Sequence, residues 1–214
     1  MRKIKILSCA AVILFALILN GCVSVSGSPN PRFYMPTAIS QQEAVEKIDI
    51  ASGTIIAVGP IWIPGYLDRP QIVTKDKNGN FHFAQFDRWA EPLDSALARL
   101  VNENLARLLP AASIQLFPCS FAIPVDYQII VEIVKLDSEL DTNMSLTAQW
   151  SIVSAKNRKL LLTKRSQFIQ PINPHNYYGL TQALNTACAT LSGEIAGALA
   201  ELDSQLKTKG IVSK

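Results

Sequence analysis

The side chains that most often carry out chemistry are few and scattered in this sequence of 214 residues. His82 lies in a predicted strand and His175 in a proline-rich loop, and neither has a second ligand at metal-site spacing. Asp137, Glu139 and Asp141 are clustered, but the glycine and the bidentate glutamate of a calcium loop are missing around them. We therefore predict no metal site, and we interpret the histidines as exposed or hydrogen-bonded and the acids as a solvated loop.

Catalytic and nucleotide-binding motifs are also missing from the sequence. It contains no Gly-x-Ser-x-Gly, Walker, Gly-x-Gly-x-x-Gly or His-Glu-x-x-His pattern. The run from Asp76 to Asn80 resembles half of an ion-binding loop, but Asn78-Gly79 is a strong hairpin-turn dipeptide that explains it fully. The sequence therefore predicts a protein that is not an enzyme and binds no cofactor.

Cys22 has the clearest chemical assignment, because an export signal precedes it. A basic start without any acid is followed by an apolar run over residues 6–19 and then by small Gly21. The run of about fourteen residues would span ~21 Å as a helix, which is short of the ~30 Å hydrocarbon core of a membrane. We therefore predict a cleaved signal peptide over residues 1–21 rather than a permanent transmembrane helix.

Leu19-Asn20-Gly21-Cys22 resembles the lipobox of bacterial lipoproteins. The resemblance implies cleavage after Gly21, diacylglycerol on the Cys22 thiol and a further N-acyl chain, which together hold a protein durably on a membrane. Val23 stands in place of the Asp associated with inner-membrane retention, which implies the periplasmic face of the outer membrane. Residues 22–32 are predicted to be a short, flexible lipidated tether. An ordinary secretory leader and an uncut signal are the alternatives.

The charge of the remaining chain excludes one class of partner. Three of the 20 Lys and Arg residues lie in the leader, so 17 remain to balance the 17 Asp and Glu residues of the chain. A neutral body lacks the concentrated basic surface that nucleic acid requires. We therefore predict no nucleic-acid partner.

Hydrophobic periodicity predicts one α/β domain over residues 33–209. An apolar stripe between Pro92 and Pro110 indicates an amphipathic helix, and a second stripe runs from about residue 176 to residue 207. Residues 144–152 alternate apolar and polar, as in a half-buried strand. We predict a mixed β-sheet packed with two main helices. The predicted strands cover residues 33–35, 53–63, 71–75, 80–86, 126–136, 144–152 and 160–169.

Two cysteines remain in the predicted domain, Cys119 and Cys188. An oxidising periplasm allows a disulfide between them. Cys188 lies in the apolar stripe of the last helix, where a buried free thiol is the alternative. The sequence gives no geometry, so both interpretations stay open.

Two segments on either side of the predicted hairpin have an unusual composition. Residues 60–73 place Trp62, Tyr66 and Leu67 around a Pro-Gly turn, and residues 88–93 lead directly into the first helix. Together with the lipobox and the order of later elements, they resemble the PqiC/YmbA type of ABC-transport auxiliary lipoproteins of Gram-negative bacteria. The resemblance implies a ring-like homo-oligomer at the outer-membrane end of a lipid route. Its partners would be an inner-membrane transporter component and a periplasm-spanning MCE-type protein.

The same segments supply six candidate partner-binding residues. Aromatic and arginine side chains dominate the energetics of interfaces, and these six are Trp62, Tyr66, Leu67, Arg69, Arg88 and Trp89. The alternative is that they fold back to cap the sheet, which we favour for Trp62 and Trp89. We also expect the two arginines to pair locally with Asp68 and so fix the turn.

These inferences give three functional hypotheses. The first is an outer-membrane lipoprotein subunit that docks an MCE-type protein in intermembrane lipid transport. The second is a periplasmic carrier that holds a lipid between helix and sheet, which requires a large apolar cavity. The third is a stand-alone structural lipoprotein of the envelope.

Replacing Cys22 by alanine tests the predicted anchor. Cys22→Ala removes the acylated thiol, so the protein should become soluble in the periplasm when cells are fractionated. If the variant stayed in the membrane fraction after a salt wash, lipid attachment at Cys22 would be contradicted.

Overall fold

The computed structural model describes residues 29–40, 47–119 and 124–208. The chain divides into the units Met1–Asn30 and Pro31–Lys214, and the predicted signal peptide, Gly21 and Cys22 lie outside the described residues. The elements are β1 (Arg32–Tyr34), β2 (Ile55–Trp62), β3 (Gln71–Lys75), β4 (Phe81–Trp89), α1 (Leu93–Leu108), β5 (Ser113–Leu116), β6 (Tyr127–Ser138), β7 (Asn143–Ser154), β8 (Lys159–Pro171) and α2 (Tyr177–Thr208).

The strands form two sheets. The three-stranded sheet has the order β1-β4-β3, with β1 parallel and β3 antiparallel to β4. The five-stranded sheet has the order β5-β2-β6-β7-β8, in which β2 is parallel to both its neighbours and the remaining pairs are antiparallel. Both sheets are mixed, and the predicted α/β domain with two main helices is confirmed. Strand β5 has no counterpart among the predicted strands, because four residues are too few for alternation to be visible.

Both helices begin and end close to the predicted positions. Pro92 lies at the N-cap of α1, and Asp94 and Arg107 in its first and last turns complement the helix dipole. Asn176 precedes α2, and its Oδ1 accepts a hydrogen bond from the N–H of Gly179 at 3.0 Å, which caps the helix. The predicted stripes are therefore carried on helices of the expected lengths.

The two helices cover the same face of the five-stranded sheet. Helix α1 packs on β2 and β5, and α2 packs on β7 and β8. The register pairs Val58 with Ile129 and Ile129 with Ile152, and all three are buried between sheet and helices. The predicted inward-facing set of β7 is confirmed, since these residues are fully buried: Met144, Leu146, Ala148, Trp150 and Ile152. Within the described part of the chain, neither helix packs on the opposite face of this sheet.

The segment that follows β1 is tied across the two helices. The N–H of Thr37 donates to Asn185 Oδ1 at 3.0 Å, and the N–H of Ile39 donates to Asn104 Oδ1 at 3.0 Å. The buried amide of Asn104 in α1 also donates to Ser192 Oγ in α2 at 3.4 Å. These bonds join the N-terminal segment, α1 and α2, and so fix the route by which the chain enters the domain.

Trp150→Ala should lower the free energy of unfolding by about 3–5 kcal/mol, because a large buried side chain leaves a cavity behind. The Trp150 side chain is 0% exposed, whereas that of Trp62 is 55% exposed. Trp62→Ala is therefore the matched control and should change stability by no more than about 0.5 kcal/mol. Urea unfolding followed by circular dichroism measures both variants, and equal losses would contradict the placement of the two tryptophans.

Candidate partner-binding surface

Strand β2 ends with an exposed tryptophan because the strand contains a bulge. The register steps from Val58–Ile129 to Ile61–Val131, so one extra residue is accommodated in β2. Gly59, with φ of 119°, adopts the conformation that this irregularity requires. The bulge brings Ile61 into the core and turns Trp62 to the face without helices. The prediction that Trp62 folds back to cap the sheet is therefore wrong.

The side chains beside Trp62 on the helix-free face are polar. Trp62 pairs with Glu132, Glu132 with Gln149, and Gln149 with Arg165, which forms a row across β2, β6, β7 and β8. All four side chains are exposed. A cavity of about 470 Å³ is lined by residues of the same face, including Ala57. The arrangement is that of an apolar anchor with a polar surround.

The turn after β2 folds back onto the hairpin formed by β3 and β4. The N–H of Leu67 donates to Pro64 O at 2.9 Å, and the Leu67 side chain is buried in the core. The Tyr66 hydroxyl accepts the N–H of Leu136 at 3.2 Å, and its ring stacks on Phe81 with 4.8 Å between centroids. Leu67 therefore stabilises the turn, and the prediction that it is an accessible partner-binding residue is wrong.

Trp89 is buried, whereas Arg69 and Arg88 are partly exposed. Trp89 is buried, as favoured from the sequence, and its N–H donates to Pro70 O at 2.8 Å. It is therefore a core residue and not a partner-binding one.

The Arg69 guanidinium carbon lies 4.1 Å from the Phe83 ring centroid. Within residues 29–40, 47–119 and 124–208, neither Arg69 nor Arg88 forms an ion pair, so the predicted local pairing with Asp68 is wrong.

The outer side of the three-stranded sheet is a second exposed surface. The register pairs Phe33 with Arg88, Arg88 with Gln71, and Phe83 with Val73. The register shifts between Gln71 and Val73, but Ala84 and Trp89 both point into the core, so their neighbours Phe83 and Arg88 both point outwards. Phe33 pairs directly with Arg88 and therefore lies on the same side as Phe83. Tyr66 and Arg69, from the turn after β2, contact Phe81 and Phe83 on this side. We name this surface the aromatic–arginine face, and it consists of Phe33, Tyr66, Arg69, Phe81, Phe83 and Arg88. The alternation of Phe81 and Phe83 indicates its hairpin half, whereas Phe33 joins it only through the pairing of β1 with β4.

A buried carboxylate holds β1 in place at this sheet. Arg32 donates to both oxygens of Asp87, from Nε at 2.7 Å and from Nη2 at 2.9 Å, and the Tyr34 hydroxyl donates at 2.8 Å. The hydrogen bond and charge of Asp87 raise the pKa of Arg32. Because Arg32 and Tyr34 point towards Asp87, Phe33 between them must point to the opposite, outer side.

The two histidines form ordinary polar contacts. His82 Nε2 lies 3.2 Å from Asp76 Oδ2, and His175 Nδ1 lies 3.1 Å from Leu140 O. Burial, followed by the nearby charge of Asp203, raises the pKa of Tyr127 to about 12. In the described part of the chain, no group of three or more His, Cys, Asp or Glu could hold a metal ion. No helix there is long and apolar enough to cross a membrane.

The fold matches solved structures at low sequence identity. An uncharacterized protein aligns with a TM-score of 0.65 and 17% identity, covering 80% of this chain and 99% of that one. Protein XCC0632 from Xanthomonas campestris, assigned to the family model DUF330, aligns with a TM-score of 0.64 and 14% identity, covering 81% and 99%. These likenesses define an α/β domain of the same fold.

The family follows from the sequence match. A family model described as the ABC-type transport auxiliary lipoprotein component matches residues 38–196. The chain therefore belongs to this family, as its resemblance to the PqiC/YmbA type indicated, and it is a transporter-associated lipoprotein of the cell envelope. The family is one of transport auxiliary components and not a known enzyme family. No curated protein matches the sequence.

Alkylation should distinguish the two cysteines of the domain. Both are free thiols in the structure, with Cys119 partly exposed and Cys188 buried. Burial raises the pKa of Cys188 to about 12, and only a thiolate is an effective nucleophile. Iodoacetamide at neutral pH should therefore modify Cys119 in the native protein and Cys188 only after unfolding, as measured by peptide mass spectrometry.

Two results would contradict this expectation in different ways. Modification of native Cys188 at the rate of Cys119 would show that the thiol is accessible. Failure of both residues to react after unfolding without reductant would establish the Cys119–Cys188 disulfide that the sequence leaves open.

Proposed function

We propose that this protein is an outer-membrane lipoprotein subunit of an intermembrane lipid-transport system and docks a periplasm-spanning MCE-type protein. The observation that carries the proposal is Trp62, which is 55% exposed on the sheet face opposite the one that α1 and α2 cover. Tryptophan is enriched among the residues that dominate binding energy. A domain of a transport auxiliary family that presents such an anchor is suited to binding a protein partner.

The surround of Trp62 has the composition of an interface rim. Glu132, Gln149 and Arg165 extend from it across three strands as exposed polar side chains. A central aromatic side chain with a polar border is the usual anatomy of a non-obligate interface. The proposed docking surface is therefore Trp62 with this polar row.

The proposed location and assembly rest on the sequence. Acylation of Cys22 and the following Val23 support anchoring at the periplasmic face of the outer membrane. The resemblance to the PqiC/YmbA type supports a homo-oligomer that works with an inner-membrane transporter component. The outer strands β8 and β5 of the five-stranded sheet are the edges at which neighbouring copies could meet.

The packing favours docking over the carrier alternative. Trp150, Leu105 and Leu184 fill the layer between the helices and the five-stranded sheet and are fully buried. A cavity of about 480 Å³ lies at one end of this sheet, but its lining includes the charged side chains of Asp126 and Lys156. Charged side chains in the lining are unfavourable for a buried acyl chain, because burying a charge against an apolar ligand is costly.

Copurification after crosslinking in cells tests the proposed docking surface. Trp62→Ala should reduce recovery of an MCE-type protein several-fold, because a central aromatic anchor is lost. Tyr178→Ala is the matched control, since Tyr178 is an aromatic residue with 58% exposure on α2, and it should leave recovery unchanged. Mass spectrometry identifies the partner.

Two outcomes of this experiment would refute the proposal. One is wild-type protein that captures no MCE-type protein. The other is equal recovery with the Trp62 and Tyr178 variants, which would place docking elsewhere on the domain.

A further inference from the structure

Three large phenylalanine side chains are exposed on the aromatic–arginine face. Phe33 is 62% exposed, Phe83 is 49% exposed and Phe81 is 42% exposed. Tyr66 stacks on Phe81, and Arg69 lies over Phe83. Three phenylalanines are thus exposed on one side of this sheet, with a tyrosine and two arginines on the same face, and exposed apolar surface of this kind often marks an interaction site.

The arginines of this face carry charge without a carboxylate partner. The neighbouring Lys75 is paired with Asp137 at 2.9 Å. In the described residues, by contrast, Arg69 and Arg88 form no ion pair, and the Nε atom of each is buried without a hydrogen-bond acceptor. The terminal guanidinium nitrogens of both residues are not buried in this way, and they are the donors that an external phosphate can reach. The face therefore combines apolar rings with two cations available to external phosphates.

The predicted lipid anchor is close to this face in the sequence. The predicted acylated residue, Cys22, precedes Phe33 by eleven positions, and Phe33 belongs to the face itself. Eleven residues reach at most about 36–40 Å at ~3.3–3.6 Å each. A tether of this length gives an effective concentration on the order of millimolar. Even a weak affinity for lipid would then keep the face at the membrane surface.

We infer that the aromatic–arginine face rests on the phospholipid surface to which Cys22 anchors the chain. The phenylalanine rings and Tyr66 lie at the boundary between headgroups and acyl chains, where aromatic side chains are favoured. Arg69 and Arg88 bind lipid phosphates. The inference rests on the lipid anchor of the proposed function but not on its transporter partner. It leaves the surface around Trp62 for that partner.

Photocrosslinking from the face identifies what covers it. The phenylalanine analogue benzoylphenylalanine is placed at Phe33 or Phe83 of the full chain in cells, and at Leu160 as control. Leu160 is apolar and 58% exposed, and it lies beyond the β7–β8 turn. Irradiation should join phospholipid to the two face positions several-fold more than to Leu160, as measured by mass spectrometry of the adducts.

Two results of the crosslinking would overturn the inference. Adducts to a second copy of this chain or to another protein would assign the face to a protein interface. Lipid adducts no more abundant than those at Leu160 would show that the face is not at the membrane. Recovery of an MCE-type protein through Trp62 would be unaffected by either result, so the two proposals can fail separately.

The arginine contribution is measured with lipidated protein in vesicles of phosphatidylethanolamine and phosphatidylglycerol. Arg69→Gln combined with Arg88→Gln should lower the lipid adduct at Phe33 several-fold. The matched control is Arg158→Gln combined with Lys159→Gln, which removes two exposed charges at the β7–β8 turn and should leave the adduct unchanged. Equal adduct yields from the two double variants would refute phosphate binding by Arg69 and Arg88.

Salt provides a measurement that does not depend on whether the variants fold. Raising the salt concentration from about 0.1 M to 1 M shortens the screening length from ~10 Å to ~3 Å. The adduct yield of the wild-type protein should therefore fall in vesicles that contain phosphatidylglycerol and change less in vesicles of the zwitterionic lipid phosphatidylcholine. The same salt response in both lipids would contradict charge-dependent contact.

Discussion

The arrangement of the domain depends on burial of one face of the five-stranded sheet. Strands alternate their side chains between two faces, and the apolar sets of β2, β6 and β7 all point to the side that α1 and α2 cover. Burying this set is the main favourable contribution to folding. Within the described residues neither helix packs on the opposite face, where Trp62 lies in a row with Glu132, Gln149 and Arg165.

The three-stranded sheet makes a different contribution, because it receives the N-terminal segment of the domain. Strand β1 is only three residues long, and it is held by Arg32 and Tyr34 on the buried carboxylate of Asp87. The next residues are then tied to both helices through Asn104 and Asn185. The domain is thus attached to its tether through a polar network, and the side of the sheet on which Phe33 lies is set by that network.

The two proposed contacts, with a protein partner and with the membrane, lie on different sheets. Trp62 and its polar row lie on the five-stranded sheet, whereas the aromatic–arginine face lies on the three-stranded sheet. One surface has an exposed tryptophan in a row of polar side chains, which suits a protein interface that forms and separates. The other has several aromatic rings and two arginines that form no ion pair among the described residues, and such a combination suits a lipid surface. A lipoprotein that connects a membrane to a periplasmic partner needs both kinds of contact.

The sequence by itself determined the features that depend on local periodicity: the stripes of both helices, the alternation of Met144 to Ile152 and the Asn78-Gly79 hairpin turn. Only the tertiary structure decided which strands share a sheet, that Leu67 is buried, and that Phe33 joins the hairpin phenylalanines. Trp62 illustrates the physical reason. Regular alternation from Ile56 and Val58 would bury it, but the bulge at Gly59 shifts the register on β6 by one residue and exposes it. Such a shift is set by pairing with a distant strand, and local residue patterns do not encode it.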